Sequence, residues 1–219
     1  MMVLPHNGML TIPRRDVIPL TMKPRNPLID RDRAEEILQA LGQQLQASDA
    51  TYELVVIGGT AMQVLGFIQR PTRDVDVVGL LEGPSIVPAD PLPEPLVDAA
   101  ERVAIDFGLP ANWLNAGPAD LARQGLPEGF QVRWQTRSFG QNLTVHFAGR
   151  LDQIHLKLYA MVDQGSGRHE TDLRARDPTT EELRMAARWT RTHDPSPGFR
   201  EVLLAVLKHL GVPDADVGP

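Results

Sequence analysis

The sequence predicts an α/β (α+β) fold: a small mixed sheet with flanking helices, followed by a helical C-terminal lobe. Three observations carry that expectation. Two short apolar runs rich in β-branched residues, Tyr52–Ile57 (YELVVI) and Asp74–Leu80 (DVDVVGL), have the length and bounding residues of strands. Helical periodicity surrounds them, beginning with Ile37, Leu38, Leu41 and Leu45 on one face of residues 33–47. From Leu151 onward helical segments follow one another.

Residues 1–29 hold five of the nineteen prolines and little periodicity, which predicts an extended N-terminal arm with room for one edge strand. Asp30, Arg31 and Asp32 offer N-caps for the first helix. The strand at Tyr52–Ile57 ends at Gly58-Gly59, a short helix covers Thr60–Phe67, and Asp74–Leu80 returns as the second strand. Residues 82–95 hold five prolines and are predicted to be loop, and residues 96–107 are predicted helical. Residues 131–138 and 142–148 flank Phe139-Gly140-Gln141 and predict a hairpin. Four helices are expected at 151–164, 170–176, 179–192 and 198–210. Pro178-Thr179-Thr180-Glu181-Glu182 supplies a cap and an acidic first turn for the third of these. The expected organisation is an arm (1–29), an α/β core (30–149) and a helical lobe packed on it (150–219), with no internal repeat and no flexible linker between the lobes.

Composition narrows the possible functions. There is no cysteine, which excludes a disulfide framework, a zinc ribbon and a thiol nucleophile, and fits a cytoplasmic protein. The N-terminal MMVLPHNGMLTIPRR lacks the apolar core and cleavage site of a signal peptide, and no apolar run approaches the ~20 residues of a membrane helix. No membrane partner is expected. Net charge is -6, and nearly all of the excess lies in residues 51–149, with six bases and eleven acids. A broad basic face for nucleic acid is not expected from that distribution. An acidic centre suits a bound divalent cation or, more simply, a solvated surface.

Asp74 and Asp76 stand two apart on a strand, so they share a side at a spacing of about 6.6–6.8 Å. Carboxylates so placed can converge on a hard cation such as Mg²⁺ (or Mn²⁺), the arrangement needed for in-line displacement at phosphorus. Gly58-Gly59 lies between a buried strand and a helix, where backbone N–H groups can cradle an anion and glycine permits close approach. Thr60 can cap that helix or donate to a phosphate oxygen. Arg70 and Arg73 can balance the carboxylates or hold a triphosphate. Lys157 sits at the edge of the apolar stripe Ile154, Leu158 and Met161, where a lysine either enters a cleft or snorkels to solvent. Asp172 lies near the start of a predicted helix, a favourable place for an acid.

With these residues in view, the run VVIGGTAMQVLGFIQRPTRDVDVV resembles the signature of the polymerase-β-like nucleotidyltransferase superfamily: a glycine pair, a short helix, then R-x-T-x-D-x-D on a strand, here Arg70, Thr72, Asp74 and Asp76. Trp113-Leu114-Asn115, Leu126-Pro127-Glu128-Gly129, the hairpin, Leu156-Lys157-Leu158-x-Ala160 and Thr171-Asp172-Leu173 are similar to the DUF6036 group. That group is related to the AbiEii/MenT-type (DUF1814) toxins of bacterial toxin–antitoxin systems. The likeness covers about residues 50–192. It implies a nucleotidyltransferase-like core that transfers a nucleoside monophosphate from an NTP to an acceptor hydroxyl, on RNA and first of all a tRNA 3′ end, with an antitoxin as a possible partner protein. It implies Asp74 and Asp76 as metal ligands, and Gly58, Gly59, Thr60, Arg70, Thr72 and Arg73 around the nucleotide. Lys157 and Asp172 would join the site, Asp172 ordering the acceptor or serving as base.

The chain departs from the pattern twice. Arg168-His169 stands where related toxins carry lysine-aspartate, and Leu143–Ala148 (LTVHFA) lacks the third strand carboxylate of many relatives, with His146 its one polar, metal-capable residue. Either Asp172 replaces that acid or metal binding is weakened. The second departure supports an alternative, a non-catalytic module of the same fold that binds a nucleotide or a partner in an antitoxin-like role.

Overall fold

The computed structural model describes residues 28–213 and 216–217. The expected N-terminal arm lies outside the described residues except for its last two. Of these, Ile29 is fully buried and forms an antiparallel bridge with Thr72.

Helix α1 (Arg31–Ala47) starts at Asp30, whose carboxylate accepts from the Arg33 N–H at 2.9 Å. It buries Ile37, Leu38, Leu41 and Leu45, the face its periodicity marks. Next come β1 (Tyr52–Ile57), α2 (Gly58–Val64) and β2 (Val75–Glu82). The following segment holds β3 (Ser85–Pro88), α3 (Glu94–Phe107), β4 (Leu114–Asn115), α4 (Ala119–Gln124), α5 (Phe130–Arg133), β5 (Gln135–Ser138) and β6 (Leu143–Phe147). Four helices close the described chain: α6 (Arg150–Gln164), α7 (Gly167–Arg174), α8 (Thr180–His193) and α9 (Pro197–His209).

The described residues form a mixed α/β fold with a six-stranded, mostly antiparallel open sheet and nine helices, the last four of them C-terminal. Strand order is β3-β2-β1-β6-β5, with β4 beside the start of β2. Only β1–β6 and β2–β4 run parallel. Both faces of β1 are covered. Leu54 and Val56 join the large core under α1 and α3, whereas Val55 and Ile57 join a smaller cluster with Val78, Phe130, Ala148 and Leu156. Leu156 belongs to α6, whose other apolar residues, Ile154, Leu158, Met161 and Val162, pack with α7, α8 and α9. Helix α6 therefore joins the sheet to the helical lobe.

Several expectations are corrected. Residues 82–95 are not all loop. They contain β3, which among the described residues pairs with β2 alone and ends at Pro88, an edge strand being where proline is tolerated. Residues 131–138 begin with the helical turn α5, and only Gln135–Ser138 pair with β6. Helix α2 starts at Gly58, two residues before Thr60, and Asp74 immediately precedes β2. The cap expected for α8 takes the form of a capping box: Thr179 Oγ1 accepts from the Glu182 N–H while the Glu182 carboxylate accepts from the Thr179 N–H.

Trp113 is fully buried, and its Nε1–H donates to the Ala100 carbonyl of α3 at 2.9 Å. Its own carbonyl receives the Val75 N–H at 2.6 Å, which aligns the start of β2. Trp113→Ala is expected to lower unfolding free energy by about 3–5 kcal/mol, and Thr179→Ala by about 1 kcal/mol. Urea unfolding followed by far-UV circular dichroism checks both, and equal losses would contradict this ranking.

Candidate active site

A cleft of about 400 Å³ opens where the end of β1, the start of α2, the segment leading into β2, and the inner faces of α4, α6 and α7 converge. Gly58 and Gly59 form one wall, Asp74 and Asp76 the next, and Arg70, Lys157, Arg168 and His169 the third.

The glycine pair is dictated by its neighbours. Gly58 has φ +70°, and a Cβ there would lie 2.5 Å from Asp76 Oδ2. A Cβ at Gly59 would lie 2.7 Å from Thr72 Oγ1. The absence of two side chains thus lets the α2 turn close against the acidic strand.

Asp76 Oδ1 accepts from Asn115 Nδ2 at 3.2 Å, and Asp74 Oδ1 accepts from Thr72 Oγ1 at 3.3 Å. Burial pushes the Asp76 carboxyl above its ordinary value, and the charge of Asp74 adds to that push. The Asn115 hydrogen bond, Lys157 and Arg168 offset it only in part. Two carboxylates with too little positive charge beside them fit a hard cation chemically. Among the described residues no set of three His, Cys, Asp or Glu side chains is placed to share an ion. The Asp172 carboxylate is engaged by Arg70 and Lys157 instead.

Asp172 has a different task. It lies toward the end of α7 rather than near a helix start, because the helix begins at Gly167. Its carboxylate is buried and receives a fork from Arg70, Nε to Oδ1 at 3.0 Å and Nη2 to Oδ2 at 2.6 Å, with Lys157 Nζ 3.2 Å from Oδ2. Burial works to raise its pKa, but the Arg70 hydrogen bonds and the charges of Lys157 and Arg70 outweigh it and hold the group below its ordinary value. Lys157 is pulled down by burial, with Asp172 opposing. Behind this trio the buried Arg176 donates from Nη1 to the Asp172 carbonyl at 2.9 Å and stacks over Phe67 at 5.2 Å. Burial pushes Arg176 down to about 10.

The structure thus brings together Gly58, Gly59, Arg70, Thr72, Asp74, Asp76 and Lys157 around one cleft. It places Thr60 elsewhere. Thr60 is fully buried, no side-chain bond caps α2, and its hydroxyl donates to the Asp74 carbonyl at 2.6 Å. It steadies the entry to β2 and does not face the cleft. Arg73 is exposed and also lies outside the cleft lining. Asn115 as a partner of Asp76 was not foreseen, since it arrives on a two-residue strand. Ala160, part of the Leu156-Lys157-Leu158-x-Ala160 motif, lines the cleft, and Gln153 and Gln164 line it without having been singled out. With Lys157 all three form an i, i+4, i+7, i+11 stripe on α6, a helical spacing that could have exposed the glutamines.

A glycine turn facing paired carboxylates and clustered cations is a site suited to phosphoryl transfer. The chain belongs to the family of nucleotidyltransferases of unknown function (DUF6036), whose pattern matches residues 35–167. That span contains the glycine pair, Asp74, Asp76 and Lys157, and ends before His169 and Asp172. No curated protein and no solved structure matches the chain. Among the described residues no helix is long and apolar enough to cross a membrane.

Asp172→Asn retains an acceptor for Arg70 but leaves Lys157 buried without its counter-charge. Unfolding free energy at pH 7 is expected to fall by about 3–5 kcal/mol. The folded-state pKa lies below the ordinary 3.8, so the wild-type advantage is complete above 3.8 and is lost as pH falls through the folded value. Urea titrations at pH 7 and in acid check this, and a deficit that persists unchanged in acid would refute the assignment.

Proposed function

We propose that the chain transfers a nucleoside monophosphate from an NTP to an acceptor hydroxyl and releases pyrophosphate. The observation that carries this reading is the convergence of the Gly58-Gly59 turn, the Asp74/Asp76 pair and the Lys157–Arg70–Arg168 cations on one cleft. Asp74 and Asp76 would hold Mg²⁺ or Mn²⁺, which supplies positive charge to phosphate oxygens during displacement. The turn and the cations hold the polyphosphate so that pyrophosphate departs into a field already arranged to receive its charge. The acceptor oxygen forms the new bond to the α-phosphorus as the bridge to pyrophosphate breaks, and the hydroxyl proton passes to solvent.

Asp172 is assigned to positioning in this scheme. With Arg70 and Lys157 on its oxygens and its pKa lowered, it holds two cations at the cleft wall better than it would take a proton from an acceptor. Thr72 steadies Asp74, while Thr60 and Arg73 leave the nucleotide set.

For the acceptor we place RNA first, with a tRNA 3′ end ahead of other RNAs, and a toxin role with an antitoxin partner. This ranking rests on the likeness to AbiEii/MenT-type toxins. A second reading, a nucleotide- or partner-binding module without turnover, draws on the lack of a third carboxylate beside Asp74 and Asp76 among the described residues.

The deciding experiment incubates the full chain with each labelled NTP, Mg²⁺ and total tRNA, beside the Asp74→Ala/Asp76→Ala double variant. The enzyme reading expects label on RNA and a loss of ~10²-fold or more in the variant. Nucleotide binding without any transfer would establish the module instead.

A further inference from the structure

His169 stands outside both the family match and the set of residues used above, yet it lines the cleft beside Arg168. Its ring makes no hydrogen bond among the described residues. Nδ1 is sealed from solvent there without a partner, so Nε2 is the ring nitrogen left open in a residue that lines the cleft. The charged groups around it are Lys157 from α6, Arg70 from the segment before β2, and Arg168 and Asp172 from its own helix.

These surroundings settle what the ring can do. Burial disfavours its charged form, and Lys157, Arg168 and Arg70 disfavour it further against the lone opposition of Asp172, so with the cleft empty the neutral imidazole is favoured at pH 7 and above. A neutral imidazole carries one N–H. A proton on the sealed Nδ1 would be a buried donor with nothing to receive it, and orphaned N–H groups are the rarest of unsatisfied polar groups. The proton therefore sits on Nε2 and points toward the space where Lys157 and Arg168 gather anions. A base for the acceptor hydroxyl would need the opposite tautomer, with a lone pair on the cleft-facing nitrogen.

We propose that His169 is a phosphate-contacting residue, its Nε2–H donating to an oxygen of the bound polyphosphate alongside Lys157 and Arg168. The proposal rests on the reading of this cleft as a nucleotide site.

Inorganic tripolyphosphate is the probe, because it reports the phosphate contacts without a base, a sugar or an acceptor. Calorimetry on the full chain compares wild type, His169→Ala, His169→Gln and Lys157→Met at pH 7 and pH 8.5. The ligand's own protonation cancels in the ratio of two proteins' affinities at one pH. His169→Ala is expected to bind about 3–10-fold more weakly at both pH values, the scale of one neutral hydrogen bond. His169→Gln, which keeps an N–H donor, should recover part of the loss. In wild type, long-range proton–nitrogen NMR should show the His169 proton on Nε2 and a shift of that signal when tripolyphosphate is added. Equal affinity in wild type and His169→Ala, or a proton on Nδ1, overturns the assignment to His169 alone, provided that Lys157→Met weakens binding. No binding by wild type at either pH overturns the reading of the cleft and this proposal with it.

Discussion

The Asp172 carboxylate, buried between Arg70 and Lys157, is the interaction on which the cleft depends. Its three residues come from three places: the segment before β2, the middle of α6 and the end of α7. Asp172 cannot move without leaving the buried Lys157 uncompensated in a poorly solvated place, where the penalty exceeds what a surface pair could ever contribute. Arg176 extends the constraint backward. It holds the Asp172 carbonyl and lies over Phe67, just beyond α2, so the acid is fixed through its backbone as well as its side chain. The same contacts that close the two lobes on each other thereby set where positive charge stands in the site.

Helix α6 gives this constraint its geometry. One side reaches the sheet through Leu156, and another enters the helical lobe through Ile154, Leu158 and Met161. Between those surfaces runs the polar stripe that lines the cleft, with Lys157 in it. A residue held by packing on both sides has little rotational freedom left. Lys157 is therefore a fixed cation rather than a tethered one, and preorganised charge of this kind is what a transferring phosphoryl group needs. The acidic wall has an equally firm base. Trp113 sets the start of β2, Asn115 holds Asp76, and Thr60 holds the carbonyl of Asp74 from behind.

How much of this could be read from the chain follows the range of each interaction. The glycine pair, the D-x-D spacing and the Thr179 cap are local patterns, and local geometry alone makes them legible. The strand at Ser85–Pro88 was hidden because proline density reads as loop, although an edge strand tolerates proline. Thr60 was misjudged for a related reason. A hydroxyl beside a glycine turn can face a ligand or the protein, and only the position of Asp74 decides which. The Arg70–Asp172 fork spans 102 residues. No periodicity or spacing encodes such a contact, so Asp172 could be named from resemblance while its partners and its task could not. Asn115 escaped for the same reason, because a two-residue strand has no period to detect.

The fit of the glycine turn against β2 also bears on how such a site can change over evolutionary time. Any side chain at 58 meets the Asp76 carboxylate, and any at 59 meets Thr72. Conversely, a longer acid at 76 would press on a turn that has no space to yield. These four positions form an interlocked set in which single steps are blocked in both directions, so the turn and the strand can drift only as a pair. Selection on either one protects the other. Ala160 and Gln164, beside Lys157 on the α6 stripe, have no such reciprocal lock, and it is there that a lineage can alter what the cleft accepts while leaving its phosphate chemistry intact.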